Sequence, residues 1–261
     1  MQDILTCAMG LDIHRDVIVA CLAKGELGTD PEIEIRSFST LIPEMRKLRD
    51  WVLEAECRYV AMESTGIYWQ PIYEMLEPCF DGQINILVVN ARHMKNVPGR
   101  KTDMRDAQWI ATLLRAGLLK GSFIPDKTFR ELRHLTRYRK SIVRDITAQK
   151  NRIDKFLQSS GFRFTAFLSD AFGASGRNII RHLMEYGNIS REALDRCLKT
   201  QTRKRIDEIL IALNGSLSEH QRGFLRMIFG HLEALEQHRH TVEDAITCLL
   251  YTSPSPRDPK T

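Results

Sequence analysis

Residues 5–23 read Leu5-Thr-Cys-Ala-Met-Gly-Leu11, then Asp12-Ile-His-Arg-Asp16, then Val17-Ile-Val-Ala-Cys-Leu-Ala23. Two short apolar runs, the second rich in β-branched residues, are parted by a mostly polar connection. That pattern predicts a hairpin whose first strand ends at Asp12. Glu32 to Phe38 alternates charged with apolar residues, Ile33 and Ile35 among them, as a half-exposed third strand does. Pro43 opens a helical pattern carried by Met45, Leu48, Trp51, Val52 and Ala55. Tyr59 to Met62 has the pattern of a short buried strand, stopping at Glu63. Further helices are expected over Ile67 to Leu76 and Ala107 to Leu114, with another buried strand over Ile84 to Val89. Three strands followed by alternating helix and strand predict an α/β domain, a mixed sheet with helices on its faces. In open sheets of this kind functional groups gather at the carboxyl ends of the strands.

The stretch Lys101-Thr-Asp103-Met-Arg-Asp106-Ala107 sets two carboxylates three residues apart, on one face of what reads as the first turn of a helix. Acids there are favoured by the helix dipole on ordinary helices, so the pair alone decides little. Asp12 could likewise serve a turn, and Glu63 could be a solvated acid ahead of a helix. Taken together they are four carboxylates at strand ends or helix starts, and four clustered acids repel one another unless a cation holds them. Hard oxygen donors suit Mg²⁺ or Mn²⁺. Two such ions about 3.5–4 Å apart activate a nucleophile on one side of a phosphodiester and stabilise the leaving oxygen on the other. Asp12, Glu63, Asp103 and Asp106 are therefore the expected metal-binding and catalytic residues of phosphodiester cleavage or transfer.

Four motifs in order carry a resemblance: Gly10-Leu-Asp12-Ile-His14, Met62-Glu63-Ser-Thr-Gly66-Ile-Tyr-Trp69, Val88-Val-Asn90-Ala91, and the Lys101 to Ala107 segment. Over about the first 160 residues the chain resembles the DEDD insertion-sequence transposases related to the Piv and MooV DNA invertases, whose N-terminal domain is similar to RuvC and ribonuclease H. The resemblance implies that Asp12, Glu63, Asp103 and Asp106 bind the metal ions. It also implies DNA as substrate, a structured guide RNA that pairs with donor and target DNA, and a second domain with a serine nucleophile. The glycine-rich motif and serine of that second domain are not found in this sequence.

Thr128 to Ser159 is the longest helical pattern, with Leu135, Ile142, Ile146, Ile153 and Phe156 forming an imperfect coiled-coil seam in which Arg139 and Gln149 are polar members. A homo-oligomer through that seam is expected. Between Lys127 and Lys155 ten Lys or Arg face three acids, which is where the formal net charge of +5 concentrates. A charge run commonly marks a solvated helix face. Beside a phosphodiester site it is read here as a nucleic-acid contact through Arg133, Arg137, Arg139, Lys140, Arg144, Lys150 and Arg152, helped by Arg100 and Lys101. Shorter helices follow over residues 176–184, 190–198, 204–213 and 219–235, and a further one starts at Glu233. Ser190 and Ser218 stand where N-caps belong.

The six cysteines lack a Cys-x-x-Cys pair, which argues against a zinc knuckle and for a reducing, cytoplasmic setting. No apolar stretch reaches the roughly 18 residues needed to span a bilayer. From Cys248 the sequence breaks with what precedes it and resembles the in-frame translation of a library adapter. The expected organisation is a RuvC-like catalytic domain over 1–125, a basic coiled-coil helix over 126–160, a helical region over 161–247 leading to an absent transposase domain, and a non-native tail over 248–261. Two rival readings are a RuvC-like structure-selective endonuclease using metal-activated water, and an inactive nucleic-acid-binding or dimerisation fragment.

Overall fold

The computed structural model describes residues 3–64, 66–90 and 106–252, and the chain divides into two compact units at Ile124 and Pro125. In the first unit β1 (Cys7–Ile13), β2 (Val17–Lys24) and β3 (Glu32–Ser39) form an antiparallel meander. Helix α1 (Ile42–Glu54), with a proline in its first turn, leads into β4 (Tyr59–Glu63), and α2 (Trp69–Leu76) leads into β5 (Asn85–Val89). Both later strands run parallel to β1, giving one five-stranded sheet in the order β3-β2-β1-β4-β5. The mixed sheet with flanking helices is the expected α/β architecture, of the ribonuclease H-like kind.

Strand alternation assigns the two faces. Met9, Leu11, Ile13, Ile18, Leu22, Val60 and Met62 point into a core completed by Leu48, Trp51 and Val52 of α1 and Ile72 and Leu76 of α2. The opposite face is built of small residues, Ala8, Cys21, Ala23 and Ala61, and receives α3 (Asp106–Arg115) through Ala107, Ile110, Ala111 and Leu114. All six cysteines are free thiols. The hydrogen bond that the Cys57 thiol donates to Cys7 and burial both push Cys57 above its ordinary value, which suits an inert core group.

The second unit is helical. The long α4 (Lys127–Ser159), capped by Asp126 accepting from Phe129 N at 3.1 Å, is followed by α5 (Ala174–Tyr186), α6 (Arg191–Cys197), α7 (Thr200–Arg203), α8 (Ile206–Ala212) and α9 (Glu219–Thr252). Its seam of Ile142, Ile146, Gln149, Ile153 and Leu157 is buried within this unit. The pairing with α9 is antiparallel, as shown by Gln149 Nε2 donating to Ile228 O at 2.6 Å and by Arg139 meeting Glu243 ten residues nearer the start of α4. The predicted stripe is thus covered by the chain's own last helix, and the expected oligomer would have to use another surface.

Two helices expected around residues 219–246 are one. Leu225, Ile228, Phe229, Leu232 and Val242 continue a single buried stripe, and no proline interrupts it. Ser190 accepts from Ala193 N, and Ser218 and Gln221 cap each other reciprocally, as their positions predicted. Among the described residues no helix is long and apolar enough to cross a membrane.

Gly223 and Gly230 lie inside α9 with open space where a Cβ would stand. Replacing either by Ala removes unfolded-state freedom at no steric cost, so each is expected to stabilise this unit by about 0.5–1 kcal/mol. Urea unfolding followed by far-ultraviolet circular dichroism checks this, and an unchanged or lowered midpoint counts against it.

Candidate active site

The site begins with a close approach. A Cβ at Gly10 would lie 2.2 Å from Ala107 O and 2.4 Å from Ala111 N, so the first turns of α3 rest directly on the β1 backbone. Two residues on, and therefore on the same face of the sheet, stands Asp12. The strand runs one residue past it, to Ile13, so Asp12 lies within β1 opposite Val19. Its side chain is 15% exposed, and His14 Nε2 lies 3.2 Å from Oδ2.

Glu63 reaches the same face by the same alternation, two residues beyond Ala61. The parallel register pairs Leu11 with Met62, so Asp12 and Glu63 follow at adjacent positions at the carboxyl ends of neighbouring strands. Strands in that relation are about 4.8 Å apart. Helix α3 runs antiparallel to β1: Ala107 meets Gly10, while Ala8 packs with Leu114. Its first residue, Asp106, is consequently carried toward the end of the sheet that holds Asp12 and Glu63, and the positive end of the helix dipole goes with it.

The far end of α3 fixes that placement. Arg115 is 1% exposed; its Nε donates to Leu5 O at 3.0 Å, its Nη2 to Glu26 O at 2.8 Å and Gly25 O at 3.2 Å, and its Nη1 lies 3.2 Å from Asp3 Oδ2. One guanidinium therefore clamps the helix to the start of β1 and to the β2–β3 connection. Sequence reasoning missed both Gly10 and Arg115. The small residues at 8, 10, 107 and 111, spaced by two on the strand and by four on the helix, were a usable signal for the first.

Asp103, Arg100 and Lys101 lie outside the described residues. Among the described residues no group of three or more His, Cys, Asp or Glu side chains is gathered closely enough to hold a metal ion. What the structure brings together is Asp12 with Glu63, with the start of α3 directed to the same end. The donor chemistry, carboxylate oxygens on a part-buried sheet edge, fits a hard divalent cation.

On α4 the seven candidate cations divide. Arg139 is held by Glu243 at 2.7 Å, whose carboxyl it keeps below the usual range through that hydrogen bond. Lys150 Nζ sits 5.6 Å from the Phe172 ring centroid, and Arg152 bonds to the Gln149 side chain. Arg133, Arg137, Lys140 and Arg144 are exposed and make no ion pair among the described residues. Their spacing of four, three and four puts them in one stripe, opposite the buried Ile142, Ile146 and Gln149. At ~1.5 Å per residue the stripe is about 16 Å long.

A five-stranded mixed sheet in this order, with acids at the ends of β1 and β4 and a helix directed to the same edge, defines a ribonuclease H-like domain. The family model of DEDD transposases of the IS110 type, described as a transposase, matches residues 9–161. That is more than half of the 261 residues, and the chain belongs to this transposase family. No curated protein gives a significant match.

Proposed function

We propose that the chain is the catalytic part of an insertion-sequence DNA transposase that breaks and transfers DNA strands in a metal-dependent way. The observation that carries this is the adjacency of Asp12 and Glu63 at the carboxyl ends of parallel strands, with α3 delivering Asp106 to the same edge. Asp12, Glu63 and Asp106, joined by Asp103, would hold Mg²⁺ or Mn²⁺. A bound cation supplies Lewis-acid stabilisation of the phosphoryl oxygens and of the leaving oxygen. The chain's own part is to hold the acids fixed on a sheet edge, with the rigid contact of α3 on Gly10 and the Arg115 clamp setting their spacing.

The exposed stripe on α4 suits a phosphate backbone, since four cations at regular spacing meet fixed charges without sequence preference. The family resemblance adds a structured guide RNA beside DNA as the polymer it would hold. Changing Arg133, Arg137, Lys140 and Arg144 together to Gln is expected to weaken binding of either polymer and to flatten the slope of log affinity against log salt by roughly 3–4 for duplex DNA. Arg139→Gln, whose charge Glu243 already holds, should change affinity little. Equal effects of the two variants would sink the stripe.

The site itself is tested by Asp12→Asn, Glu63→Gln and Asp106→Asn. Each is expected to lower Mg²⁺-dependent strand cleavage or transfer by at least about a hundredfold while leaving polymer binding intact. Full activity in Asp12→Asn or Glu63→Gln overturns the assignment. Cleavage of a branched DNA by the wild-type chain with no RNA present favours the structure-selective nuclease instead, and polymer binding without any cleavage favours a binding module.

A further inference from the structure

Between Glu63 and α2 the connection at the acidic edge presents apolar surface to solvent: Ile67 is 68% exposed and Tyr68 38%. Single exposed hydrophobes are ordinary on protein surfaces. Here the surroundings make them informative. Ser64 N donates to Val89 O at 2.8 Å, which ties the start of the connection to the end of β5. Gly66 takes φ 59°, a conformation other residues adopt only with strain, and a Cβ there would be 3.5 Å from Tyr68 Cε2. The tyrosine ring therefore lies back along the connection beside Gly66.

The two neighbouring aromatics have opposite fates. Trp69 packs edge-on against Tyr73 at 5.8 Å and against the core under α2. Tyr68 has no hydrogen bond or ring partner among the described residues. A flat ring, 38% exposed and without a hydrogen-bond or ring partner among the described residues, stands five residues along the chain from a proposed catalytic acid.

We propose that Tyr68, flanked by Ile67, is a positioning residue that stacks an unpaired base of the DNA substrate at the acidic edge of the sheet. The inference rests on the transposase reading for its ligand. Stacking needs only a π-face on each partner, so it tolerates any base and would hold a strand locally opened from its complement. The phenol hydroxyl has no assigned partner, so the ring rather than the oxygen would be the working part.

The test uses the full chain and a DNA duplex with a short unpaired bubble containing 2-aminopurine, with divalent cation withheld so that binding is read without cleavage. Wild type is expected to quench the probe. Tyr68→Phe should quench and bind equally, whereas Tyr68→Ala should lose the quenching and roughly 5- to 150-fold in affinity. Tyr68→Leu, which keeps bulk without a π-face, should behave as Ala does. Absence of quenching by wild type, or a Leu variant indistinguishable from wild type, overturns the proposal. A chain that stacks the base yet cleaves nothing when Mg²⁺ is restored refutes the transposase reading alone, and one that cleaves without stacking refutes the platform alone.

Discussion

Replacing Arg115 by Ala is expected to remove about 3–5 kcal/mol from the stability of the first unit, the range seen when one partner is taken from a buried, hydrogen-bonded charge. The loss has two parts. The carbonyls of Leu5, Gly25 and Glu26 lose a donor that solvent reaches poorly, and Asp3 loses its ion partner. Arg115→Lys should recover little, because one ammonium cannot meet carbonyls on two segments in the fork that a guanidinium spans. All three tryptophans, at 51, 69 and 109, lie in this unit, so tryptophan fluorescence during urea unfolding reports its stability without interference from the helical unit. Against a typical domain stability of about 5–15 kcal/mol the change is large. A loss below about 1 kcal/mol would mean that the clamp contributes little beyond what water replaces.

The same residue shows where sequence reading stops. The strands were legible because apolar alternation survives in one dimension: β2, β3, β4 and β5 fall within a residue or so of their expected places. Asp12 was legible as an acid near a strand end, although the strand continues to Ile13, because the pairing with Val19 that extends it is a cross-strand property. Arg115 reads as an ordinary cation at a helix C-terminus. Its burial depends on carbonyls about 90 to 110 positions away, and no local pattern encodes them.

The basic helix is a second case. Ten positive charges could be counted along it, yet which of them remain available is set by Glu243, Phe172 and Gln149. The seam was placed at Phe156, whereas Leu157 is the buried residue, four past Ile153, because an antiparallel partner in the same chain sets the register. That partner could be foreseen only as a helix, not as the one that would cover this stripe.

The second large effect belongs to Gly10. In Gly10→Ala the new methyl would meet Ala107 O at 2.2 Å and Ala111 N at 2.4 Å, where ordinary contact begins near 3.4 Å. Both obstacles are helix backbone, which cannot turn aside as a side chain can. Helix α3 must therefore move by about 1 Å, carrying Asp106 with it, while Asp12 and Glu63 stay in their strands. Overpacking of this kind costs roughly 1–3 kcal/mol. Displacement by that distance of a group with the catalytic role proposed for Asp106 can cost on the order of a hundredfold in rate, so DNA cleavage should fall far more than stability explains.

A comparison variant separates the two effects. Gly82 has φ 77° and open space around its Cβ position, so Gly82→Ala costs roughly 1–2 kcal/mol of backbone strain without touching α3 or the connection that Arg115 holds. Under conditions where both variants are folded by tryptophan fluorescence, Gly82→Ala should cleave as wild type does and Gly10→Ala should not. If Gly10→Ala cleaves normally, the acids do not depend on the seating of α3, and Asp106 loses its place in the proposed site. Equal losses in the two variants would instead assign the effect to stability, leaving the acids in place and the close contact with only a structural role.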